Sequence, residues 1–279
     1  MLLVAAGAAE VSHAAAPASQ AASRPGPSVG RDEKINPNLP TLWLVGDSTV
    51  RVNGKGQQGW GDPVGDFFDK SRINVVNRAI GGRSSRTFQT EGRWDDVLKS
   101  AKKGDFVIIQ FGHNDGGKLA GDNRERGTIR GLGDETEEVT LTLKQGKKET
   151  VHTFGWYMRK YINDAREKGL TPIVCSPVAH VPKAKVTDAT PENWDYVRLA
   201  EQVAQAEKAD FIPLNTLIMK RWVGMEPAEI KEKYFTPADG THTGVAGAKL
   251  NAEAAVEGIR NLKDNPLKSY LKESPSSEK

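Results

Sequence analysis

Cysteine is almost absent from this 279-residue chain: Cys175 stands alone. No internal disulfide can form, so the fold must be held by its core. Cys175 lies in the apolar run Pro172-Ile173-Val174-Cys175 and reads as a small hydrophobe, not as a nucleophile. Charge of one sign is not concentrated anywhere either. The net charge is +3, and no block of Lys or Arg marks a nucleic-acid surface. A mildly basic balance is compatible with an anionic polymer without arguing for one. The five histidines are widely separated, and with one cysteine they form no cluster of metal-ligand spacing. No metal is therefore expected.

The two ends do not read as fold. Residues 1–23 are almost all Ala, Leu, Val, Gly and Ser, and Pro and Ser follow through about Gly30. This pattern predicts a signal peptide and linker over 1–30, and with it a secreted or periplasmic location. A charged start is missing, since Leu2 and Leu3 follow Met1 directly, and a disordered Ala-rich tail is the alternative. The apolar stretch is too short for a membrane span. Residues 272–279, with Glu, Ser, Pro and Lys, read as a frayed tail. Residues 31–271 remain as one large domain, long enough for a well-developed core.

Within that domain, strand-length apolar runs recur at 41–45, 73–76, 106–111, 171–175 and 211–212. Stretches of helical period separate them. Asp62 and Pro63 look like an N-cap and first helical position, leading through Val64, Phe67 and Phe68. Trp94, Val97 and Leu98 mark a second helix. Tyr157, Ile162 and Ala165 mark a third that ends at Gly169. Residues 194–209 and 246–262 supply two more. Alternation of this kind predicts an α/β fold, a parallel sheet with helices on both faces. One segment breaks the alternation: 138–152 alternates in period two around Gln145-Gly146 and is read as an inserted hairpin.

In such a sheet, ligands bind beyond the carboxyl ends of the strands. The chemistry-bearing residues cluster there. Gly46-Asp47-Ser48-Thr49 follows the first strand, and Gly81-Gly82-Arg83-Ser84 the second. Gly112-His113-Asn114-Asp115 follows the third. Asp239-Gly240-Thr241-His242 precedes the last helix. Acyl transfer needs a nucleophile, a base and an orienting acid, and Ser48, His242 and Asp239 supply them. Asp239 stands one helical turn before His242; His13 lies in the leader-like segment, His152 at the return of the insertion, and His113 reads as a structural donor. An oxyanion needs preorganised donors, for which the Ser48 and Gly82 N–H groups and the Asn114 side-chain amide are candidates. Each motif alone is also ordinary turn chemistry. Their joint order at the strand ends is what carries the reading.

Gly54, Gly56 and Gly59 spell a dinucleotide-type Gly-x-Gly-x-x-Gly. They lie well past the first strand, however, and the second strand ends in Val75-Val76-Asn77 without a ribose-binding acid. A flexible loop beside the serine is the better reading, and no cofactor is expected.

In this order, the four blocks resemble the SGNH (GDSL-like) hydrolase superfamily, with Ser48, Gly82, Asn114 and His242 at its four name-giving positions. The resemblance runs from about Leu42 to Leu262. It implies a flavodoxin-like three-layer α/β/α sandwich and a serine esterase without metal or organic cofactor. Thr49 stands where the GDSL pattern has Leu. With Asn77-Arg78-Ala79-Ile80-Gly81-Gly82-Arg83-Ser84 and Gly112-His113-Asn114-Asp115, that departure looks like the rhamnogalacturonan acetylesterase branch, carbohydrate esterase family twelve. The branch implies removal of acetyl groups from pectin, with acetylated xylan as the alternative substrate.

The residues around the motifs are polar, among them Arg51, Gln57, Gln58, Arg83, Arg86 and Asn123. A long acyl chain would need an apolar groove instead. A lipolytic or thioester hydrolase and a noncatalytic glycan-binding protein are the competing classes. Trp60 and Trp194 either stack on sugar rings or pack in the core. Arg83 and Arg86 either pair with a uronate carboxylate or anchor their loop.

Overall fold

A computed structural model describes residues 35–54, 56–237 and 239–273. The expected signal peptide and linker lie outside the described residues, as does the tail from 274 onward. In chain order the strands are β1 (Thr41–Gly46), β2 (Asn53–Gly54), β3 (Gln57–Gln58), β4 (Asn74–Asn77), β5 (Phe106–Gln110), β6 (Thr136–Leu141), β7 (Lys147–His152), β8 (Thr171–Cys175) and β9 (Asp210–Ile212). The helices are α1 (Ser85–Thr90), α2 (Arg93–Ser100), α3 (Phe154–Glu167), α4 (Asp195–Ala206), α5 (Leu214–Trp222), α6 (Pro227–Tyr234) and α7 (Val245–Asn261).

Five parallel strands form the central sheet in the order β4-β1-β5-β8-β9. Numbered along the chain within that sheet, the order is 2-1-3-4-5, the flavodoxin-like arrangement. Strand order reverses around β1, so the ends of β1 and β5 flank the switch point. Ser48 and Asn114 both lie just beyond those ends.

β1 shows why the chain chooses a sandwich. Leu42 and Leu44 enter one apolar cluster with Ile108, Ile173, Ala252, Ala255 and Val256. Trp43 and Val45 enter another, with Val107, Ile109, Trp94, Met158 and Leu199. Side chains alternate across the sheet, and both faces are covered by helices, so the strand is apolar at every position. Each large side chain so buried contributes about 1.5–3 kcal/mol. Register brings Gly46 opposite Gln110. A Cβ on Gly46 would sit 2.6 Å from both the Gln110 carbonyl oxygen and Val50 Cγ2, so the close approach of β1 to β5 requires glycine.

The insertion is the antiparallel hairpin β6–β7. The loop over 142–146 ends in a turn closed by Lys147 N–H on the Lys144 carbonyl, with Gln145 at φ 56° and Gly146 at φ 77°, both positive. Val139, Leu141 and Val151 pack there with Leu119, Ala120 and Ile129. Glu125 clasps the hairpin end, accepting from Gly121 N, Thr142 N, Thr142 Oγ1 and Leu143 N. Burial would raise its pKa, but these donors bring it down to about 2.

Several expectations need correction. The helix expected from Asp62 is a short 3-10 segment, Pro63–Phe67, and Asp62 makes no side-chain cap. The loop at 54–59 contains a small ladder, Asn53 with Gln58 and Gly54 with Gln57. Lys272, at the expected start of the tail, donates its N–H to the Phe67 carbonyl at 2.8 Å. Helices α1, α5 and α6 lacked a legible periodic stripe.

Candidate active site

Ser48 stands one residue inside a turn that closes on Asp47. The Asp47 carboxylate accepts from Thr49 N and Thr49 Oγ1, both at 2.8 Å. Thr49 Oγ1 in turn accepts from Gln110 Nε2 at 2.6 Å, and Gln110 Oε1 accepts from Trp60 Nε1 at 2.8 Å. These four side chains form one buried chain of hydrogen bonds beneath the serine. Trp60 therefore belongs to the scaffold. Its ring is fully buried and its N–H is spent on Gln110, so it has no face to offer a sugar.

The other Asp47 oxygen meets His113 Nδ1 at 3.3 Å. Burial alone would raise the Asp47 pKa, but the charge and hydrogen bond of His113, with the Thr49 donors, hold it below the usual carboxylate value. His113 Nε2 is buried and has no hydrogen-bond partner among the described residues. Its ring lies 5.1 Å from that of His180 and 5.1 Å from that of Trp194. His180 Nδ1 pairs with Glu192 at 3.0 Å. Trp194 stays partly exposed at this edge.

Residues 239–242 form the second half. Asp239 Oδ1 accepts from Thr241 N at 2.8 Å and His242 N at 2.7 Å. Its Oδ2 lies 2.9 Å from His242 Nδ1. His242 Nε2 lies 2.8 Å from Ser48 Oγ. With Nδ1–H donating to the carboxylate, Nε2 is left to accept the serine proton. Burial raises the Asp239 pKa, yet the His242 and Thr241 donors leave it below its ordinary value, so the acid is ionised when it is needed. Thr243 straps this loop to β3, donating from Oγ1 to the Gln58 carbonyl and accepting from Gln58 N, both at 2.9 Å. β3 thus braces the histidine loop through Gln58.

Gly82 sits in the left-handed region at φ 79°, where a side chain would be strained. A Cβ on Gly81 would be 3.5 Å from the Ser48 Cβ, so this turn runs against the serine. The Asn114 amide donates to the Arg83 carbonyl at 2.8 Å, which ties the third block to the second. The amide has a second N–H to spare. The structure thus gathers Ser48, Gly82, Asn114, Asp239 and His242 at one sheet edge.

The arginines separate. Arg83 Nε pairs with Glu91 at 3.0 Å, and its NH1 donates to the Gly81 carbonyl. Arg86 is 1% exposed and locked to Glu149, with NH1 on the Leu119 and Gly127 carbonyls. It anchors the insertion to α1 and does not face a ligand.

Some participants were not legible beforehand. Asp115 is fully buried and accepts from Ser85 N and Ser85 Oγ, at 3.1 and 2.5 Å. Burial pushes its pKa up to about 7, more than the Ser85 donors pull it down. Gln110 reads in sequence as the last polar residue of an apolar strand, the one available signal of its role.

A family model described as "GDSL-like Lipase/Acylhydrolase family" matches residues 44–250. The rhamnogalacturonan acetylesterase of Emericella nidulans is 33% identical over 219 residues, covering 78% of this chain and 84% of the relative. YesY of Bacillus subtilis, a probable rhamnogalacturonan acetylesterase, is 33% identical over 243 residues, covering 83% and 98%. Among solved structures, Bacillus subtilis YxiM superposes with a TM-score of 0.62 at 25% identity. That match covers 80% of this chain, which spans 56% of the length of the YxiM chain.

Proposed function

The chain belongs to the GDSL-like lipase/acylhydrolase family, and from that premise we propose that it is a carboxylic ester hydrolase that removes acetyl groups from rhamnogalacturonan. The observation that carries the reading is the line of contacts from Asp239 through His242 to Ser48 Oγ, at 2.9 and 2.8 Å. The substrate follows from the two acetylesterase relatives and from the polar residues around the site.

In this reading His242 Nε2 takes the Ser48 proton as Oγ attacks the acetyl carbonyl. The tetrahedral oxyanion is held by the N–H groups of Ser48 and Gly82 and by the Asn114 amide. His242 then returns the proton to the sugar oxygen, which leaves as a hydroxyl, and acetyl-Ser48 remains. Water, deprotonated by the same imidazole, hydrolyses that ester and releases acetate. Asp239 orients the ring and stabilises the imidazolium. Trp194 offers a partly exposed face for a sugar ring. The leader-like composition of residues 1–30 supports export.

Acetate release from a panel of acetylated pectins and xylans tests the substrate. The expected order is rhamnogalacturonan first; release from xylan alone reassigns the polymer. A series of p-nitrophenyl esters tests the acyl group, and a preference for octanoate over acetate contradicts an acetylesterase. Ser48→Ala should end hydrolysis, and a fluorophosphonate should label Ser48 in the wild type. An adduct on Ser84 or Ser85 instead would move the nucleophile.

A further inference from the structure

Arg126 reaches the oxyanion turn from the insertion side. Its NH1 donates to the Gly82 carbonyl at 3.3 Å, so the guanidinium lies against the residue proposed to bind the oxyanion. Its position is built. Gly127 N donates to the Lys118 carbonyl and Thr128 N to the Asp115 carbonyl, both at 2.9 Å. Those bonds lay the 126–128 segment beside 115–118. A Cβ on Gly127 would collide with the Gly117 carbonyl at 1.9 Å, so the two segments touch only because glycine is there. Arg86 holds the Gly127 carbonyl from the other side at 2.8 Å. The Arg126 stem runs past Gly117, whose own N–H donates to the Asn114 carbonyl. Arg126 thereby spans the two turns that carry Gly82 and Asn114.

Arg126 differs from Arg83 and Arg86 in its partners, and shares with Arg51, whose NH1 donates to the Asn77 carbonyl, the lack of an ion pair among the described residues. Arg83 is paired with Glu91 and Arg86 with Glu149. Arg126 makes no ion pair among the described residues, and the Gly82 carbonyl is its one hydrogen-bond acceptor there. A guanidinium has five N–H donors in a planar fork that matches a carboxylate. Half-burying such a group without a partner carries a desolvation cost that a bound anion would offset. Burial and the neighbouring Arg124 hold its pKa below the usual value, although the charges of Asp122, Asp47 and Asp115 act the other way.

Taking the substrate reading above as its basis, we propose that Arg126 recognises the carboxylate of a galacturonate residue of the substrate and so selects acidic over neutral acetylated sugars. The carboxylate meets the unused side of the guanidinium while the acetyl carbonyl lies in the hole formed with Gly82. Arg83, held by Glu91, leaves this role to Arg126.

The experiment compares wild type, Arg126→Gln and Arg126→Lys on two substrates. One is an acetylated rhamnogalacturonan oligosaccharide; the other is the same material with its carboxyl groups reduced to primary alcohols. Wild type should favour the acidic form by ~10–100-fold in KM, the range of a charge-assisted pair. Arg126→Gln should erase that preference through KM, and Arg126→Lys should recover part of it. A uniform loss of kcat on both substrates in Arg126→Gln, with the KM ratio preserved, would overturn the proposal and leave Arg126 as a prop for Gly82. A wild type blind to carboxyl reduction overturns it too. Wild type releasing no acetate from either oligosaccharide refutes the substrate reading itself and the uronate role with it, and is seen before any substitution is made.

Discussion

The imidazole of His113 and the carboxylate of Asp47 meet at 3.3 Å with both side chains buried, and so join the turn carrying Ser48 to the turn carrying Asn114. Nucleophile and oxyanion donor come from different strands, and this pair fixes their spacing from beneath. His113→Ala should lower kcat by ~10-fold or more with a smaller change in KM, and should cost about 1–3 kcal/mol of stability. The lowered pKa of Asp47 adds stability above its ordinary value of 3.8, and that stability is lost as pH falls through the folded value. Without His113 the acid-unfolding limb should move to higher pH. Unchanged kcat with reduced stability would make the pair structural only.

Asn114→Ala should reduce kcat by ~100-fold or more, because a hydrogen bond to the oxyanion strengthens only as charge develops. The amide also holds the Arg83 carbonyl, so the variant loosens the Gly82 turn as well. Steady-state kinetics on an acetyl ester read this directly. A raised KM with near-normal kcat would reassign Asn114 to substrate binding.

Asp239→Asn keeps the shape at 2.9 Å from His242 and removes the charge. Activity should fall sharply, yet less than in His242→Ala, where the base itself is gone. Equal activity of Asp239→Asn and wild type beside a dead His242→Ala would reduce the site to a Ser–His dyad. An active His242→Ala would transfer attention to His113 or His180.

Asp115 titrates in the opposite sense to Asp47. Its pKa is raised by burial to about 7, so the protonated form stabilises the fold. That contribution is complete below the ordinary value of 3.8 and is lost as pH rises through about 7. Asp115→Asn keeps an acceptor for Ser85 and cannot ionise. Its melting temperature should therefore decline less than that of wild type between about pH 5 and pH 8. Parallel curves would show that Asp115 is ionised throughout.

The fold class was legible in runs such as Leu42-Trp43-Leu44-Val45, because a strand buried on both faces must be apolar throughout. Gly46 and Asp47 announced the turn, and Asp239 three residues before His242 announced a local pair, since such a contact needs no tertiary information. Arg83, Arg86, Trp60 and Trp194 were not decidable in this way. An arginine in sequence has no partner, and a tryptophan has no address. Glu91 and Glu149 claimed two of the arginines; Gln110 drew Trp60 inward, while Trp194 stayed at the edge.

What is local could be read along the chain: the alternation of elements, the turns at the strand ends and the residue types of the chemistry. Hydrophobic period and turn preference are properties of neighbouring residues, and they survive without a fold. Which distant side chains meet is set by the packing of the whole fold. Ser48 and His242 stand 194 positions apart, and their 2.8 Å contact exists because α7 packs on the sheet and Thr243 is bonded to Gln58, which returns the loop ahead of that helix to the end of β1. The pairing of His113 with Asp47, and the lack of an ion pair for Arg126 among the described residues, were decided in the same way, since partners for buried charge are assigned by packing, which no stretch of neighbouring residues encodes.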